Sequence, residues 1–189
     1  MGEIAADIRS LFEQLDAAER DARLLVTDLS DEEGARRITP DSWSVAECFD
    51  HLAVANRVYL AAMRGPAAEA VTQGKLRQHD AVPGLIGAWF VKAMEPPVRT
   101  YLKMKSPQKI RPRQSPPLSR AHEDFAASQN DVRSFLNLYS GLDLTLVRFP
   151  NPFISGVRFS LAIGLHVIIA HERRHLWQAW QLRRAMTER

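Results

Sequence analysis

Cysteine is almost missing from this chain: Cys48 is the single thiol among 189 residues. That excludes an internal disulfide and any metal site built from several thiolates, and it fits a reducing cytoplasm. Long apolar runs are missing too. The densest uncharged stretch, Phe159 to Ala170, is too short to span a bilayer, and the opening Met-Gly-Glu-Ile-Ala-Ala-Asp has neither a basic start nor an apolar core. Neither a membrane anchor nor a signal peptide is expected. Charge of one sign is not in excess, since 25 basic and 22 acidic residues are spread along the chain to a net +3. No basic block reads as a nucleic-acid footprint. Internal repeats, low-complexity tracts and alternating strand patterns are absent as well. What remains, 46% hydrophobic and 25% charged, is the composition of a folded globular protein, and the length predicts a single domain over residues 1–189.

Helical periodicity fills most of the chain. Apolar or small residues at Ile4, Ile8, Leu11, Leu15, Ala18, Ala22, Leu25 and Leu29 alternate steps of four and three, predicting a first helix over residues 3 to 29. Ser44-Val-Ala-Glu47 is a capping box, in which each side chain satisfies a free backbone donor, and it opens a second helix. The buried stripe of that helix is Cys48, Leu52, Ala55, Tyr59 and Ala62, and Gly65-Pro66 is expected to end it. Residues 66 to 117 read as a long irregular crossover, with a short helix from Gly84 to Met94 and a proline-rich stretch from Ser106 to Pro117. A third helix follows over Leu118 to Tyr139, with His122, Phe125, Gln129, Val132, Leu136 and Tyr139 on one stripe. Leu142 to Phe149 reads as extended, Pro150-Asn-Pro152 interrupts it, and a fourth helix runs from Val157 to the C-terminus. The expected fold class is all-α, a four-helix bundle whose second and third helices need not be antiparallel neighbours. Ile4, Leu11, Leu52, Tyr59, Phe125, Leu136 and Ile168 are expected to share one core.

The informative feature is His171-Glu-Arg-Arg-His175 on the fourth helix. A separation of four sets two imidazoles on one face, ~5 to 6 Å apart at Cβ, where both can reach one metal ion. Six histidines in 189 residues give roughly 0.2 such pairs by chance, so the pair needs support from elsewhere. Read literally, His171-Glu172-x-x-His175 is the zincin motif of a metallopeptidase, with Glu172 as general base. Zincins take a third ligand downstream, and only 14 residues follow His175, with no histidine among them.

Trp43-Ser-Val-Ala-Glu47-Cys-Phe-Asp-His51-Leu52, taken with Ala170-His171-Glu-Arg-Arg-His175-Leu-Trp-Gln178, resembles the DinB/YfiT-like superfamily of metal-dependent enzymes. Its members open the second helix with W-S-x-x-E-x-x-x-H-L and carry H-x-x-x-H-L-x-Q in the fourth. The likeness extends over most of the chain, though no motif falls between about Ala67 and Pro117. It implies an up-down-down-up bundle, with His51, His171 and His175 as the three metal ligands, and homodimers as a common state. Three neutral imidazoles suit Zn²⁺ or Ni²⁺ and leave coordination positions open, whereas no oxygen cage for Mg²⁺ or Ca²⁺ is evident. Glu47, one turn before His51, is a candidate to orient that ring or act as a base, and its capping role is sufficient by itself. Gln178, three residues after His175, reads either as a hydrogen-bond partner behind that ligand or as an ordinary bundle residue.

Other residues carry blander expectations. His166 lies roughly 140° round the helix from His171 and is expected to pack in the core or at a subunit contact. His122 reads as a core histidine and His79 as a surface one. Trp43, Trp177 and Trp180 border the core or stack on substrate. Cys48 reads as a small buried hydrophobe, and the pairs Arg173-Arg174 and Arg183-Arg184 as solvated faces. Characterised relatives of the resembled superfamily are transferases or isomerases that use thiols such as bacillithiol or mycothiol, and others are described as hydrolases. The resemblance therefore implies a small-molecule substrate, a divalent metal and a low-molecular-weight thiol. The alternative is a non-catalytic, stress-associated metal-binding bundle acting through a dimer partner seated on the apolar surface from Phe159 to Ala170.

Overall fold

The computed structural model describes residues 4–97 and 107–187. Their elements are α1 (Ala6–Val26), α2 (Asp31–Ala35), α3 (Val45–Thr72), α4 (Gly84–Met94), α5 (Leu118–Tyr139), β1 (Arg148–Pro150), β2 (Arg158–Ser160) and α6 (Leu161–Thr187). The four long helices α1, α3, α5 and α6 make the bundle: α1 packs on α5 and α6, and α3 packs on the same two. The protein is an all-α bundle, with one antiparallel two-stranded ribbon that pairs Phe149 with Phe159.

Two apolar clusters stand where one core was expected. One takes in Leu11 and Leu15 of α1, Tyr59 and Met63 of α3, Leu136 of α5 and Ile168 of α6. The other takes in Leu25 of α1, Phe49 and Leu52 of α3, Phe125 of α5 and Leu176 of α6. Along α1 and α6 the chain passes from the first cluster to the second, and along α3 and α5 from the second to the first. That order fixes the directions as up-down-down-up. Between the clusters lies a buried polar layer of His51, Asn56, Ser128, Gln129, Glu172 and His175. Ile4 belongs to neither cluster, being 53% exposed just ahead of α1.

Several boundaries differ from the periodicity reading. Gly65-Pro66 does not end the second helix, because α3 continues to Thr72 with Pro66 inside it. Met63, Ala67 and Ala70 stay buried on either side of the proline, and their packing outweighs the backbone bond that it removes. Helix α2 was not foreseen, although Ser30 and Glu33 form the same reciprocal capping box as Ser44 and Glu47. The extended reading of Leu142 to Phe149 shrinks to the last two positions, where β1 begins, since Asp143 turns the chain by accepting from Thr145 N at 3.1 Å and Leu146 N at 3.3 Å. The fourth helix starts at Leu161 instead of Val157, after β2.

The apolar first half of α6 is covered by the chain itself. Helix α4 lies on it, with the Phe90 and Phe159 rings 5.1 Å apart and Gly87 so close that a Cβ there would meet Ile163 Cγ1 at 2.6 Å. This corrects the expectation that a second subunit buries Phe159 to Ala170. The outer side of α4 is left apolar, with Leu85 94%, Ile86 87% and Trp89 71% exposed.

Candidate metal centre

Helix α3 enters the bundle through its capping box, so its first two turns are wholly buried from Ser44 to Ala53. That places His51 inside, 1% exposed, facing the polar layer of α6. From α6, His171 and His175 project one turn apart, as the i, i+4 spacing requires. Nε2 of His51 stands 3.1 Å from Nε2 of His171. The ring centroids of His51 lie 4.9 Å from His171 and 4.5 Å from His175. The three rings together offer ligand atoms within 4.8 Å of one another.

The donor set fits a divalent ion. In tetrahedral coordination with bonds of ~2.05 Å, ligand nitrogens stand about 3.3 Å apart, close to the His51–His171 spacing. In two of the rings the other nitrogen is already occupied. Nδ1 of His51 donates to the Ile110 carbonyl at 2.5 Å, and Nδ1 of His175 donates to Gln178 Oε1 at 3.0 Å. An acceptor at Nδ1 holds the ring proton there and leaves Nε2 as the lone pair. Burial pushes all three imidazoles below the usual histidine value, well below for His171 and His175, where the nearby His51 ring and Arg174 add to it, as His171 does for His175. Neutral rings are the ligating form. The cluster could hold a divalent metal ion.

Around it, Trp43 packs its ring 4.7 Å from His51 and 5.5 Å from His175, walling one side of the cluster. Glu47 is placed differently from a base. Its carboxylate accepts from Ser44 N at 2.8 Å and from Arg37 Nε at 2.9 Å, and pairs with Arg37 Nη2; no bond to an imidazole is seen among the described residues. Glu172 turns away from the histidines into the interior, where Asn56 Nδ2 donates to it at 2.8 Å and Gln129 Nε2 at 2.9 Å. That placement removes the general base of the zincin reading.

The remaining histidines lie elsewhere. His166 Nε2 donates to the Ala81 carbonyl at 2.9 Å, His122 packs edge-on to Phe49, and His79 donates to Asp143 at 2.7 Å. Cys48 is buried, which pushes its thiol far above the usual range. Two of the arginines expected on solvated faces are tethers instead. Arg173 binds Glu95 and Gln14, joining α6 to the end of α4 and to α1, and Arg183 donates to the Leu24 and Leu25 carbonyls near the end of α1. Sequence reading missed the Ile110 carbonyl, which lies 59 positions from its imidazole and carries no side-chain signal.

An up-down-down-up helical bundle with three imidazoles converging in its polar layer defines a class of bundles whose interior could hold a divalent ion. The chain belongs to the DinB superfamily, whose family model matches residues 14–179. No curated protein and no solved structure matches it.

Proposed function

We propose that this chain is a metal-dependent enzyme acting on a small molecule, with His51, His171 and His175 holding one Zn²⁺ or Ni²⁺ ion. The proposed reaction is transfer of a low-molecular-weight thiol, of the bacillithiol or mycothiol kind, to an electrophilic carbon: the thiol gives up its proton, a C–S bond forms, and the bond to the leaving group, halide in an aryl halide, breaks. The observation that carries this reading is the convergence of three neutral imidazoles, two of which have Nδ1 tied to acceptors. A bound divalent ion would supply Lewis acidity that lowers the pKa of a thiol or of water. Thiol chemistry is favoured over hydrolysis by what the carboxylates do. Glu47 is held by Ser44 and Arg37, Asp50 by Arg113, and Glu172 by Asn56 and Gln129. None of these three is left to take a proton from water, whereas a thiol of pKa ~8.5 ionises readily beside a cation. Trp43 and the buried rings exclude bulk water from one side of the site.

Turnover of metal-loaded protein with a panel of low-molecular-weight thiols and an aryl halide acceptor tests the reaction. Thiol consumption that needs the metal and disappears in His171→Ala supports it. Ester cleavage without thiol points to the hydrolase, and metal uptake without any turnover to the non-catalytic stress-associated bundle.

The proposal includes a homodimer joined through α4. Leu85, Ile86 and Trp89 lie on its outer side, and monomers rarely leave a contiguous apolar patch beyond a few hundred Å². Three such side chains expose roughly 400 to 500 Å², and a twofold contact hides this patch on both protomers, approaching the ~1,000 Å² at which specific interfaces begin. The buried, unpaired Cys48 supports a reducing cytoplasm as the setting. No described helix is long and apolar enough to cross a membrane.

A further inference from the structure

Among the described residues, the crossover between α3 and α5 meets the centre at the Ile110 carbonyl, which accepts from His51 Nδ1. Ile110 ends a single 3-10 turn, Gln108–Ile110. The turn's own bonds are weak for holding a ring in place, Ile110 N to Pro107 O at 3.0 Å and Arg111 N to Gln108 O at 3.4 Å. Something outside the turn must keep that carbonyl against α3. The Ile110 side chain, 4% exposed, contributes burial. The directional restraint comes three residues later, at Arg113. Its backbone N donates to Asp50 Oδ2 at 2.7 Å and its Nε to Asp50 Oδ1 at 2.7 Å, while Nη2 reaches Asp124 Oδ2 of α5 at 2.9 Å.

Asp50 immediately precedes His51 and is 1% exposed. A buried carboxylate is costly unless charged, geometrically matched partners meet it. Here one residue of the crossover supplies the partners, so the same contact that neutralises Asp50 also clamps residues 110–113 onto the helix turn carrying His51.

We propose that Arg113, acting through Asp50, is a positioning residue for the metal centre: it fixes the Ile110 carbonyl over His51 so that Nε2 of that ring faces His171 and His175. This rests on the metal reading of the cluster and adds a determinant of metal affinity outside the histidine motifs. Removing the guanidinium leaves the backbone N–H of Arg113 to hold Asp50 alone, which loosens the carbonyl and lets the His51 ring turn or change tautomer, weakening ligation.

The test is Co²⁺ and Zn²⁺ binding by the full chain in four forms: wild type, Arg113→Ala, Arg113→Lys and Arg120→Ala. Arg120 is the control, because it pairs with Asp124 at 3.2 Å and with Glu123 but not with Asp50. Arg113→Ala is expected to weaken binding roughly 10- to 100-fold, as outer-shell losses do, and to change the d–d absorption of the Co²⁺ form while helical circular dichroism stays at the wild-type value. Arg113→Lys, which keeps the charge but not the fork, should recover part of both, and Arg120→Ala should match wild type. Folded Arg113→Ala with wild-type affinity and spectrum overturns the assignment. If Arg113→Ala does not fold, Asp50→Asn takes its place; weakened binding supports the clamp, and wild-type affinity and spectrum overturn it. Folded wild type that takes up no Co²⁺ is a different result, and removes the metal reading itself.

Discussion

The Glu172 carboxyl is a charge-bearing group sealed in the interior, 0% exposed, with burial pushing its pKa up to about 7 against the restraining bonds from Asn56 and Gln129. The two amide oxygens opposite, Asn56 Oδ1 and Gln129 Oε1, have no hydrogen-bond partner among the described residues. A folded-state value raised above the unfolded ~4.3 stabilises the fold below that pH and is lost as pH rises through about 7. Glu172→Gln removes the titration and gives one amide oxygen a donor. Its melting temperature relative to wild type should therefore rise between pH 5.5 and 8.5, and a difference independent of pH would contradict this. The three site histidines shift the other way. Their values are lowered by burial, so their contribution is present above the unfolded ~6.5 and is lost as pH falls through the folded values. Protons also compete with metal at the same nitrogens. Zn²⁺ affinity measured by chelator competition should hold through the ordinary histidine range and fall once pH drops through the lowered values, with a slope approaching three protons per ion; a slope of one proton or fewer would contradict three-imidazole ligation.

At the scale of elements, glycine marks where helices touch. A Cβ at Gly34 of α2 would meet three atoms of Leu118 at 2.5 to 2.8 Å, whereas one at Gly65 of α3 would meet nothing within 4 Å apart from its chain neighbours, one of which is Pro66. Gly34→Ala is expected to lose about 1 to 3 kcal/mol through overpacking against α5, whereas for Gly65→Ala a helix-propensity gain of about 0.5 to 1 kcal/mol is offset by the crowding of a Cβ against the ring of Pro66, leaving stability near wild type. Urea midpoints read both: a lowered midpoint is expected for Gly34→Ala and one near wild type for Gly65→Ala, and an unchanged midpoint for Gly34→Ala would contradict the close approach of α2 to α5. The long helices are legible in the sequence because a 3.6-residue period repeated over five or more turns is hard to produce otherwise. Helix α2 is too short to show a period, and the Ser30 to Glu33 box is its one local signal. The end of α3 is misread because Gly65-Pro66 is a local breaker, while the Met63, Ala67 and Ala70 contacts that override it are tertiary. The site divides the same way. The His171 and His175 spacing is visible in one dimension, and His51 enters through likeness of motif. The roles of Gln178 Oε1 and the Ile110 carbonyl behind the rings follow from the folded geometry.

For the whole molecule, the bundle sets a polar layer between two apolar clusters and so gives the histidines a largely buried surround. The same economy of burial leaves the outer side of α4 bare, and light scattering of wild type against Ile86→Glu tests the proposed dimer: the variant should be monomeric at concentrations where wild type is paired, and a wild-type monomer would contradict it. The central claim, that His51, His171 and His175 form one metal site, is tested most directly by the metal content of purified protein after Zn²⁺ or Ni²⁺ loading and desalting. Wild type and His166→Ala should each retain about one ion per chain, and His51→Ala, His171→Ala and His175→Ala almost none. Retention by His51→Ala equal to wild type, or loss from His166→Ala with none from His171→Ala, would contradict it.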